Sequence, residues 1–521
     1  MKYIKKTLNW VKNKIMYPFQ YDLAFFLTLF LINYIPDLCI FIVTGPPDYI
    51  LYFAFYSYII TYVVVLISNI NLFIGKIVKP IILTGYIIFA LVNLYCIIFL
   101  HCRLSHDIIQ IIIGTNFVEV IEYFETYMNY KLILGGGIIT AIIIIFFVFL
   151  KKIRLSSYGS KISFCMFGFL LLSWVVVENL NSAIKKDLSY GWLFNVDDVI
   201  DIKMHPTNPK LKFSGGRSSN IIVILGESFA PSHSSLYGYD KITNPLLNIK
   251  LEEKNLILFT NVKSPAAGTN RAFMYILNTK LLEDYDSLKW YKYPNLIEVL
   301  SASGYKTYWF STQKEKGMYH NLSSGFSRIC DEAYFTSDLT DGYKYDEELL
   351  NYEINESDSL SVVFYHLMGQ HPSFRERYPD EFNFFKSTNY DSEHPQILAD
   401  YDNATLYNDY VVNSIIDKYK DMDAIVFYFS DHGLDIFETN ANYAGHAKNI
   451  PKSQEIGKKI PFMVYMSPLF QRNHPEKTEK IRNAEDRDFC TDKFIYVVMD
   501  VEGIKFADND DVKKYSLFSK N

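Results

Sequence analysis

The first third of this 521-residue chain consists of long apolar runs separated by short polar segments. Five of them have the length of about 20 residues that crosses a bilayer as a helix. These runs lie at residues 22–43, 49–72, 78–100, 132–150 and 162–180. Because soluble proteins rarely contain five such helices in series, the sequence predicts a five-helix transmembrane domain over residues 1–180. No small-residue cleavage site follows the basic N-terminus, so we expect no cleavable signal peptide.

Lysine and arginine residues are unevenly distributed among the loops between the apolar runs. The N-terminal segment and the loops after the second and fourth runs are basic, whereas residues 45–48 carry no basic side chain and residues 101–131 are net acidic. Basic loops remain in the cytoplasm in multi-pass membrane proteins. We therefore expect a cytoplasmic N-terminus and a C-terminal domain outside the cytoplasm.

Residues 105–128, between the third and fourth runs, form a periodic amphipathic segment that contains four acidic side chains. This pattern predicts a helix that lies at the outer membrane–water interface. A helix of this kind serves either a purely structural or a functional purpose, and the pattern favours neither.

The rest of the chain has the composition of an ordinary globular domain. Residues 181–219 mix charge with proline and glycine and indicate a bridging segment, after which residues 220–521 alternate strand-like and helix-like patterns. This alternation predicts an α/β domain with a largely parallel sheet and helices on both faces. Candidate strands lie at 220–225, 306–310, 360–365, 424–429 and 461–466, and candidate helices near 270–281, 293–303, 396–420 and 490–501. The mild net charge of −6 gives no reason to expect nucleic acid as a partner.

Potential metal ligands follow three of these candidate strands. Glu227 follows the first strand, His366 and His371 follow the third, and Asp431 and His432 follow the fourth. Because the carboxyl ends of parallel strands meet at one edge of a sheet, we expect these side chains to converge there. A mixed set of carboxylates and imidazoles suits zinc or another borderline divalent ion. The sequence therefore predicts a metal site for hydrolysis or group transfer.

A candidate nucleophile lies between the first two groups of ligands. Residues 264–271 form a loop of small residues that enters a helix, and Thr269 lies at or next to the helix N-cap. Free backbone N–H groups at such a position favour an anion. Thr269 is either a nucleophile or a simple helix cap, and the loop alone leaves both interpretations open. Two cysteines of this domain, Cys330 and Cys490, offer one disulfide at most.

Taken together, these segments resemble the bacterial phosphoethanolamine transferases, which are membrane-anchored members of the alkaline phosphatase and sulfatase superfamily. The resemblance covers the soluble domain nearly end to end, and the five predicted spans agree with it. It rests on Gly-Glu-Ser at 226–228 with residues 233–239 and 243–245, Gly-Thr at 268–269, residues 366–372 with 377–379, residues 401–404 with Tyr407 and Asp409, Ser-Asp-His-Gly at 430–433, and Gly-His at 445–446.

The resemblance implies how the metal is held. Glu227, Thr269, Asp431 and His432 would bind the catalytic zinc ion, and Thr269 would also be the nucleophile. One zinc ion is expected on this basis, and a second ion remains open.

The resemblance also implies which residues bind substrate. His371 and His446 would bind the phosphoryl group or a second metal ion. Thr115 and Glu119, which lie one helical turn apart in the amphipathic segment, would reach the head group of the lipid donor.

The implied reaction is transfer of phosphoethanolamine from phosphatidylethanolamine to an envelope glycan or a lipopolysaccharide acceptor, lipid A or core. It would pass through a covalent intermediate of the phospho-threonine type. The expected location is the bacterial inner membrane, with several spans and a periplasmic catalytic domain. Expected partners are the lipid donor, the glycan or lipopolysaccharide acceptor and membrane lipids, with no nucleic acid.

Two alternatives remain open at this point. A phosphoglycerol transferase of the same superfamily would use a similar metal site and a similar membrane anchor. A sulfatase or phosphatase that hydrolyses soluble esters would use the same fold, but the Cys/Ser-x-Pro-x-Arg sequence of sulfatases is absent from the loop around Thr269.

Overall fold

The structure is a computed structural model that describes two compact units of the chain. The described residues are 22–44, 49–69, 72–99 and 130–151 in the first unit, and 213–283, 293–313, 322–336, 345–354, 360–439, 444–445, 451–506 and 511–519 in the second. The fifth apolar run, the amphipathic segment 105–128 and most of the predicted bridge 181–219 lie outside these residues, as do Thr115, Glu119 and His446.

The first unit consists of apolar helices wherever the structure describes it. They are α1 (Leu23–Thr44), α2 (Tyr49–Ser68), α3 (Leu72–Phe99) and α4 (Tyr130–Leu150). Each coincides with one of the first four apolar runs, although α3 begins six residues before the run at 78–100 and includes the turn that contains Lys76. A long lysine stem can lie along an apolar helix while its ammonium group stays in water, so the hydropathy pattern placed this boundary too late.

Two described segments, Gly75–Cys96 within α3 and Ile133–Leu150 within α4, are long and apolar enough to cross a membrane, with mean hydropathies of 2.0 and 2.9. Few of their residues are buried, which a core helix of a soluble protein would not show, and exposed isoleucines such as Ile142 and Ile145 suit contact with lipid. The segments Leu23–Ile35 and Ser57–Ser68 are apolar but shorter. The number of five spans is therefore not established and stays a prediction.

Polar contacts join the helices of the first unit at two levels. Asp22 forms an ion pair with Lys79 at 2.5 Å and accepts a hydrogen bond from Asn69 at 2.8 Å, which links the ends of α1 and α2 to α3. Farther along, Asn33 donates to the hydroxyl of Thr61 at 3.4 Å. In an apolar surrounding such pairs stabilise helix association because each polar group otherwise lacks a partner.

The second unit contains a seven-stranded sheet. Its strands are β2 (Asn220–Gly226), β3 (Leu256–Phe259), β5 (Lys306–Ser311), β6 (Glu332–Phe335), β7 (Ser361–His366), β8 (Ala424–Ser430) and β11 (Phe462–Met466). Their order in the sheet is β3-β11-β8-β2-β7-β5-β6. Short strands form separate pairs: β1 (Phe213–Ser214) with β13 (Lys505–Phe506), β4 (Val262–Lys263) with β12 (Phe489–Cys490), and β9 (Asp435–Ile436) with β10 (Ala444–Gly445).

The large sheet is parallel except at β11, which runs antiparallel to both β8 and β3. The prediction of a largely parallel α/β domain is confirmed. The strand predicted at 461–466 exists, but its apolar run carried no sign of its reversed direction, since a buried strand has the same pattern in either orientation.

Helices cover both faces of this sheet. In chain order they are α5 (Pro245–Glu252), α6 (Thr269–Ile276), α7 (Leu296–Ala302), α8 (Leu322–Ser327), α9 (Pro395–Tyr419), α10 (Pro451–Lys458), α11 (Pro468–Asn473), α12 (Pro475–Arg482), α13 (Phe494–Glu502) and α14 (Asp511–Tyr515). Alternate residues of β2 enter opposite cores: Val223 belongs to the core that contains side chains of α6, α7 and α13, whereas Ile224 belongs to the core that contains side chains of α5 and α9. The continuous apolar pattern of β2 is therefore that of a strand covered on both faces.

Strand register brings the polar strand ends to one edge. Gly226 of β2 pairs with Ser430 of β8, and Leu225 pairs with His366 of β7. On the far side of β7, His366 pairs with Ser311 of β5. The loops that follow these four strands consequently begin side by side.

Candidate metal centre

Glu227, Asp431 and His432 converge at this edge of the sheet. Their ligand atoms all lie within 4.8 Å of one another, and none of the three residues is more than 2 % exposed. The register explains the convergence, because Glu227 and Asp431 each follow a member of the Gly226–Ser430 pair, and the Asp431 N–H donates to the Gly226 carbonyl at 3.0 Å. The structure thus brings together three of the five side chains that the sequence predicted to converge, and His366 and His371 are not among them.

The hydroxyl of Thr269 completes this group. Its Oγ1 lies 3.2 Å from Oε2 of Glu227, to which it donates, and 3.3 Å from Nε2 of His432. Thr269 is the first residue of α6, and the N-cap position belongs to Gly268. The hydroxyl therefore points to the cluster, and the interpretation of Thr269 as a simple helix cap is wrong.

His432 is oriented as a metal ligand by its neighbour. Its Nδ1 lies 2.7 Å from the carbonyl oxygen of Gly433, so Nδ1 carries the proton and donates it. This leaves Nε2 facing Oε1 of Glu227 at 3.2 Å and Oδ2 of Asp431 at 3.6 Å. A carbonyl that fixes the tautomer in this way is typical of histidines that bind metal through the other nitrogen.

The residues present fit a zinc ion. Oδ1 of Asp431 accepts hydrogen bonds from the backbone of His432 at 2.7 Å and of Ser228 at 3.4 Å, whereas its Oδ2 has no hydrogen-bond partner among the described residues. A buried carboxylate oxygen without a donor is costly unless a cation occupies the space before it. Two carboxylates, one imidazole and one hydroxyl supply four donors of the kinds that zinc accepts.

The protonation behaviour of the cluster leads to the same conclusion. Burial and the nearby charge of Glu227 raise the pKa of Asp431 to about 8. Burial alone would lower the pKa of His432, but Asp431 and Glu227 raise it to about 10. Burial would raise the pKa of Glu227, yet the charges of His432 and His371 hold it well below its usual range. Protons thus compensate the carboxylates in the metal-free cluster, in the position that a divalent cation would take.

A strained turn holds Glu227 in place. Ser228 has a positive φ of 57°, which is uncommon outside glycine, and its hydroxyl donates to Oε1 of Glu227 at 2.7 Å. The buried hydroxyl of Tyr401 donates to the Ser228 carbonyl and accepts the Ala230 N–H, both at 2.7 Å. Tyr401 lies in one of the segments that carry the family resemblance, but nothing in the pattern of a helix shows which loop it will contact.

The two histidines of the β7 loop differ in environment. His366 is fully buried, its Nδ1 lies 3.1 Å from the Ser311 hydroxyl, and burial lowers its pKa to about 4, so it is neutral. His371 is partly exposed, and its Nδ1 has no hydrogen-bond partner among the described residues. The loop rests on the metal centre, since the Gln370 N–H donates to the Glu227 carbonyl at 3.0 Å. His371 therefore lies beside the cluster with one ring nitrogen uncommitted.

The remaining site predictions have separate outcomes. Cys330 and Cys490 are both free, so the disulfide that the sequence allowed does not form. His446, Thr115 and Glu119 lie outside the described residues, and their roles stay predictions.

Comparison with known proteins agrees with this geometry. A family model described as Sulfatase matches residues 219–501, which is more than half of the chain and contains every described member of the cluster. The chain belongs to the sulfatase family. Within this family, its relatives include the phosphoethanolamine transferase EptC of Escherichia coli K12, which is 24 % identical over 443 residues, or 77 % of this chain and 76 % of that protein. The phosphoethanolamine transferase EptA of Helicobacter pylori is 30 % identical over 304 residues, or 55 % of this chain and 56 % of that protein.

Solved structures of phosphoethanolamine transferases have a similar fold. The C-terminal periplasmic domain of EptC from Escherichia coli superposes with a TM-score of 0.54 and 26 % identity over 60 % of this chain and 90 % of that one, and a zinc complex of that domain superposes with a TM-score of 0.53. The integral membrane protein EptA from Neisseria meningitidis matches 96 % of this chain and 98 % of its own, with a TM-score of 0.64 and 16 % identity. The resemblance to phosphoethanolamine transferases is thereby confirmed.

Proposed function

We propose that this chain transfers phosphoethanolamine from phosphatidylethanolamine to a lipopolysaccharide or other envelope glycan acceptor, with Thr269 as the nucleophile. The observation that carries the proposal is the position of the Thr269 hydroxyl, which lies between Glu227 and His432 and is free of a capping role. Relatives named phosphoethanolamine transferase, including two that are named for lipid A, support the donor and the class of acceptor.

Glu227, Asp431, His432 and the Thr269 hydroxyl would hold one zinc ion. When bound, zinc lowers the pKa of a coordinated hydroxyl and stabilises negative charge on phosphoryl oxygens. Glu227 and His432 hold the hydroxyl oxygen in one place, which preorganises it for attack. The N-terminus of α6, where Thr269 is the first residue, adds a favourable field for the phosphoryl group.

The transfer would proceed in two steps. In the first, Thr269 Oγ bonds to phosphorus, the bond from phosphorus to the glycerol oxygen breaks, and diacylglycerol leaves with the proton that Thr269 gives up. In the second, an acceptor hydroxyl or phosphate attacks the same phosphorus, and Thr269 regains a proton. His371, with its uncommitted ring nitrogen beside the cluster, would hold the phosphoryl oxygens in both steps, together with His446.

The membrane unit would bring the enzyme to its amphiphilic substrates. We infer five spans over residues 1–180, a bridge over 181–219 and a catalytic domain from residue 220, with a cytoplasmic N-terminus and a periplasmic catalytic domain in the bacterial inner membrane. The lysine-rich loops and the exposed apolar helices support this arrangement, as does the match to an integral membrane protein. Thr115 and Glu119 would contact the donor head group. If a second zinc ion binds, His371 and His446 would be its ligands instead of direct contacts of the phosphoryl oxygens.

The test compares two lipids that differ in their head groups. The full-length protein in vesicles receives phosphatidylethanolamine or phosphatidylglycerol, each with a labelled head group, and diacylglycerol release and label transfer to lipopolysaccharide are measured. We expect both signals from phosphatidylethanolamine alone. Release from phosphatidylglycerol alone would make the chain a phosphoglycerol transferase, and rapid hydrolysis of soluble phosphate or sulfate esters with neither lipid would make it a hydrolase.

A further inference from the structure

Asp346 is a buried carboxylate outside the metal cluster and outside every motif that the sequence singled out. It begins the 3₁₀ turn Asp346–Asn351, and only 4 % of the residue is exposed. The next residue of the turn, Glu347, donates its N–H to the hydroxyl of Tyr407 on α9 at 3.1 Å, which fixes the turn to that helix. Because a buried carboxylate is costly without donors, its hydrogen bonds indicate its purpose.

The carboxylate joins two loops at the catalytic edge of the sheet. Its Oδ1 accepts hydrogen bonds from the Thr312 hydroxyl and from the Met368 N–H at 2.8 Å, and its Oδ2 accepts the Gly369 N–H at 2.9 Å. Thr312 follows β5, whereas Met368 and Gly369 follow β7. One side chain therefore fixes the relative position of two neighbouring strand ends.

The loop that Asp346 holds is a tight turn against the metal centre. The His371 N–H donates to the Met368 carbonyl at 3.2 Å, which closes a turn over residues 368–371. Gly369 lies within this turn at a positive φ of 52°. The next N–H, that of Gln370, donates to the Glu227 carbonyl at 3.0 Å. The Asp346 carboxylate accepts the first two N–H groups of the turn, and the backbone carbonyl of Glu227 accepts the third. His371 is the last residue of the turn.

We propose that Asp346 is a positioning residue that holds the turn at 368–371 against Glu227 and thereby sets where His371 meets the phosphoryl group. The inference rests on the proposed transferase function, because it gives Asp346 a task in that reaction. Asp346 affects His371 indirectly, through the turn, because its carboxylate accepts hydrogen bonds from Thr312, Met368 and Gly369. Replacement by asparagine leaves one acceptor oxygen for two backbone donors and places an amide opposite a donor, so the turn loosens.

Asp409 provides a matched control. It is also buried and also accepts two consecutive backbone N–H groups, those of Leu246 and Leu247 at 2.8 and 3.0 Å. These belong to α5 rather than to a loop of the metal centre. Asp409→Asn therefore removes the same kind of buried carboxylate and weakens the same kind of backbone hydrogen bonds. It does so at α5, so it does not alter the turn that contains His371.

The experiment measures diacylglycerol release from phosphatidylethanolamine by the full-length protein in detergent, together with zinc content. We expect Asp346→Asn to lower kcat about 10- to 100-fold, the cost of a small misplacement of a catalytic group, with little change in KM and one zinc ion retained. Asp409→Asn should keep kcat within about 3-fold of the wild type, because it changes stability alone. In a His371→Ala background, Asp346→Asn should cause almost no further loss, because both changes remove the same contribution.

A second measurement is independent of activity. Hydrogen exchange of a peptide that covers residues 366–373 should accelerate in Asp346→Asn, and that of α5 should accelerate in Asp409→Asn instead. The proposal is overturned if this peptide keeps its protection, or if the losses from Asp346→Asn and His371→Ala multiply. A wild type that releases no diacylglycerol would refute the proposed function. The exchange measurement would then still show whether Asp346 holds the turn at 368–371 in place.

Discussion

Gly369 lies directly against the backbone of Glu227. A methyl group at position 369 would be 2.9 Å from the Glu227 carbonyl oxygen and 3.0 Å from its nitrogen, distances at which one of the two must move. Gly369 also has a positive φ, which disfavours any side chain at this position. The position of Glu227 in the candidate metal centre is thus fixed in part by the absence of a side chain on the adjoining loop.

Gly369→Ala should therefore weaken zinc binding. The added methyl group pushes Glu227 away from Asp431 and His432, and changes of this kind around a ligand typically reduce metal affinity about 10- to 100-fold. Titration of the metal-free protein with zinc in the presence of a competing chelator measures the effect.

The control is Gly238→Ala. Gly238 has a positive φ of 95°, but a methyl group there has no heavy atom within 4 Å. This variant shares the backbone strain, of about 1–2 kcal/mol, without the contact to Glu227, and should bind zinc as the wild type does. Equal affinities in both variants would show that Glu227 tolerates the displacement.

Zinc binding should release protons. Because Asp431 and His432 have raised pKa values of about 8 and 10 in the metal-free cluster, both hold protons at pH 7 that must leave when a cation binds. Calorimetric titration in two buffers with different ionisation enthalpies gives the number of protons released for each ion bound. His432→Ala should release fewer protons and bind zinc more weakly; binding by the wild type without proton release would contradict the raised pKa values.

The candidate metal centre could be predicted from sequence because its acidic and histidine side chains follow strands directly. Glu227, Asp431 and His432 each stand within two residues of a strand end, so strand adjacency alone brings them together. The sequence predicted that the strand ends share one edge, but it did not show that β2 and β8 are neighbours, which is what selects these three side chains.

The supports of the site could not be predicted in the same way. Tyr401 lies 173 residues from Ser228, whose carbonyl it binds, and Asp346 lies 22 residues from Met368, across β7. No period or local motif relates such pairs, because their contact depends on how loops and helices pack after the sheet has formed. The reversed direction of β11 was hidden for a related reason: direction depends on the connections between strands rather than on the side chains within them.

Asp409 should make the free energy of unfolding depend on pH. Burial raises its pKa from 3.8 to about 7, although the N–H groups of Leu246 and Leu247 oppose this. The folded protein therefore binds the proton more tightly than the unfolded chain does, so this contribution to stability decreases as the pH rises from about 4 to about 7 and is constant above that. Asp409→Asn removes the titrating group and with it this dependence.

Thermal unfolding followed by circular dichroism from pH 4 to pH 8 checks this sign. As the pH rises to about 7, the melting temperature of the wild type should fall steadily relative to that of Asp409→Asn, and above pH 7 the difference should stay constant. If the melting temperature of the wild type rises with pH relative to that of Asp409→Asn, the two backbone N–H groups keep Asp409 ionised in the folded state.

The last prediction concerns Thr269. Thr269→Val keeps the size and the β-branch of the side chain but removes the hydroxyl, whereas Thr269→Ser keeps the hydroxyl and removes a methyl group. Because Gly268 occupies the N-cap, neither change removes a cap, and Thr269→Val loses only the contacts of the hydroxyl with Glu227 and His432, each worth about 1 kcal/mol. Both variants should therefore fold, with melting temperatures near that of the wild type.

Their activities should differ much more than their stabilities. Thr269→Val should lose transfer by orders of magnitude because no covalent intermediate can form, and Thr269→Ser should keep a measurable fraction. Incubation of the wild type with phosphatidylethanolamine and no acceptor should give a phosphoethanolamine adduct that fragmentation assigns to the peptide containing Thr269. Thr269→Val should give none. If Thr269→Val still transfers phosphoethanolamine and the wild type shows no adduct, the acceptor attacks the lipid directly, and the hydroxyl between Glu227 and His432 serves only to bind the metal.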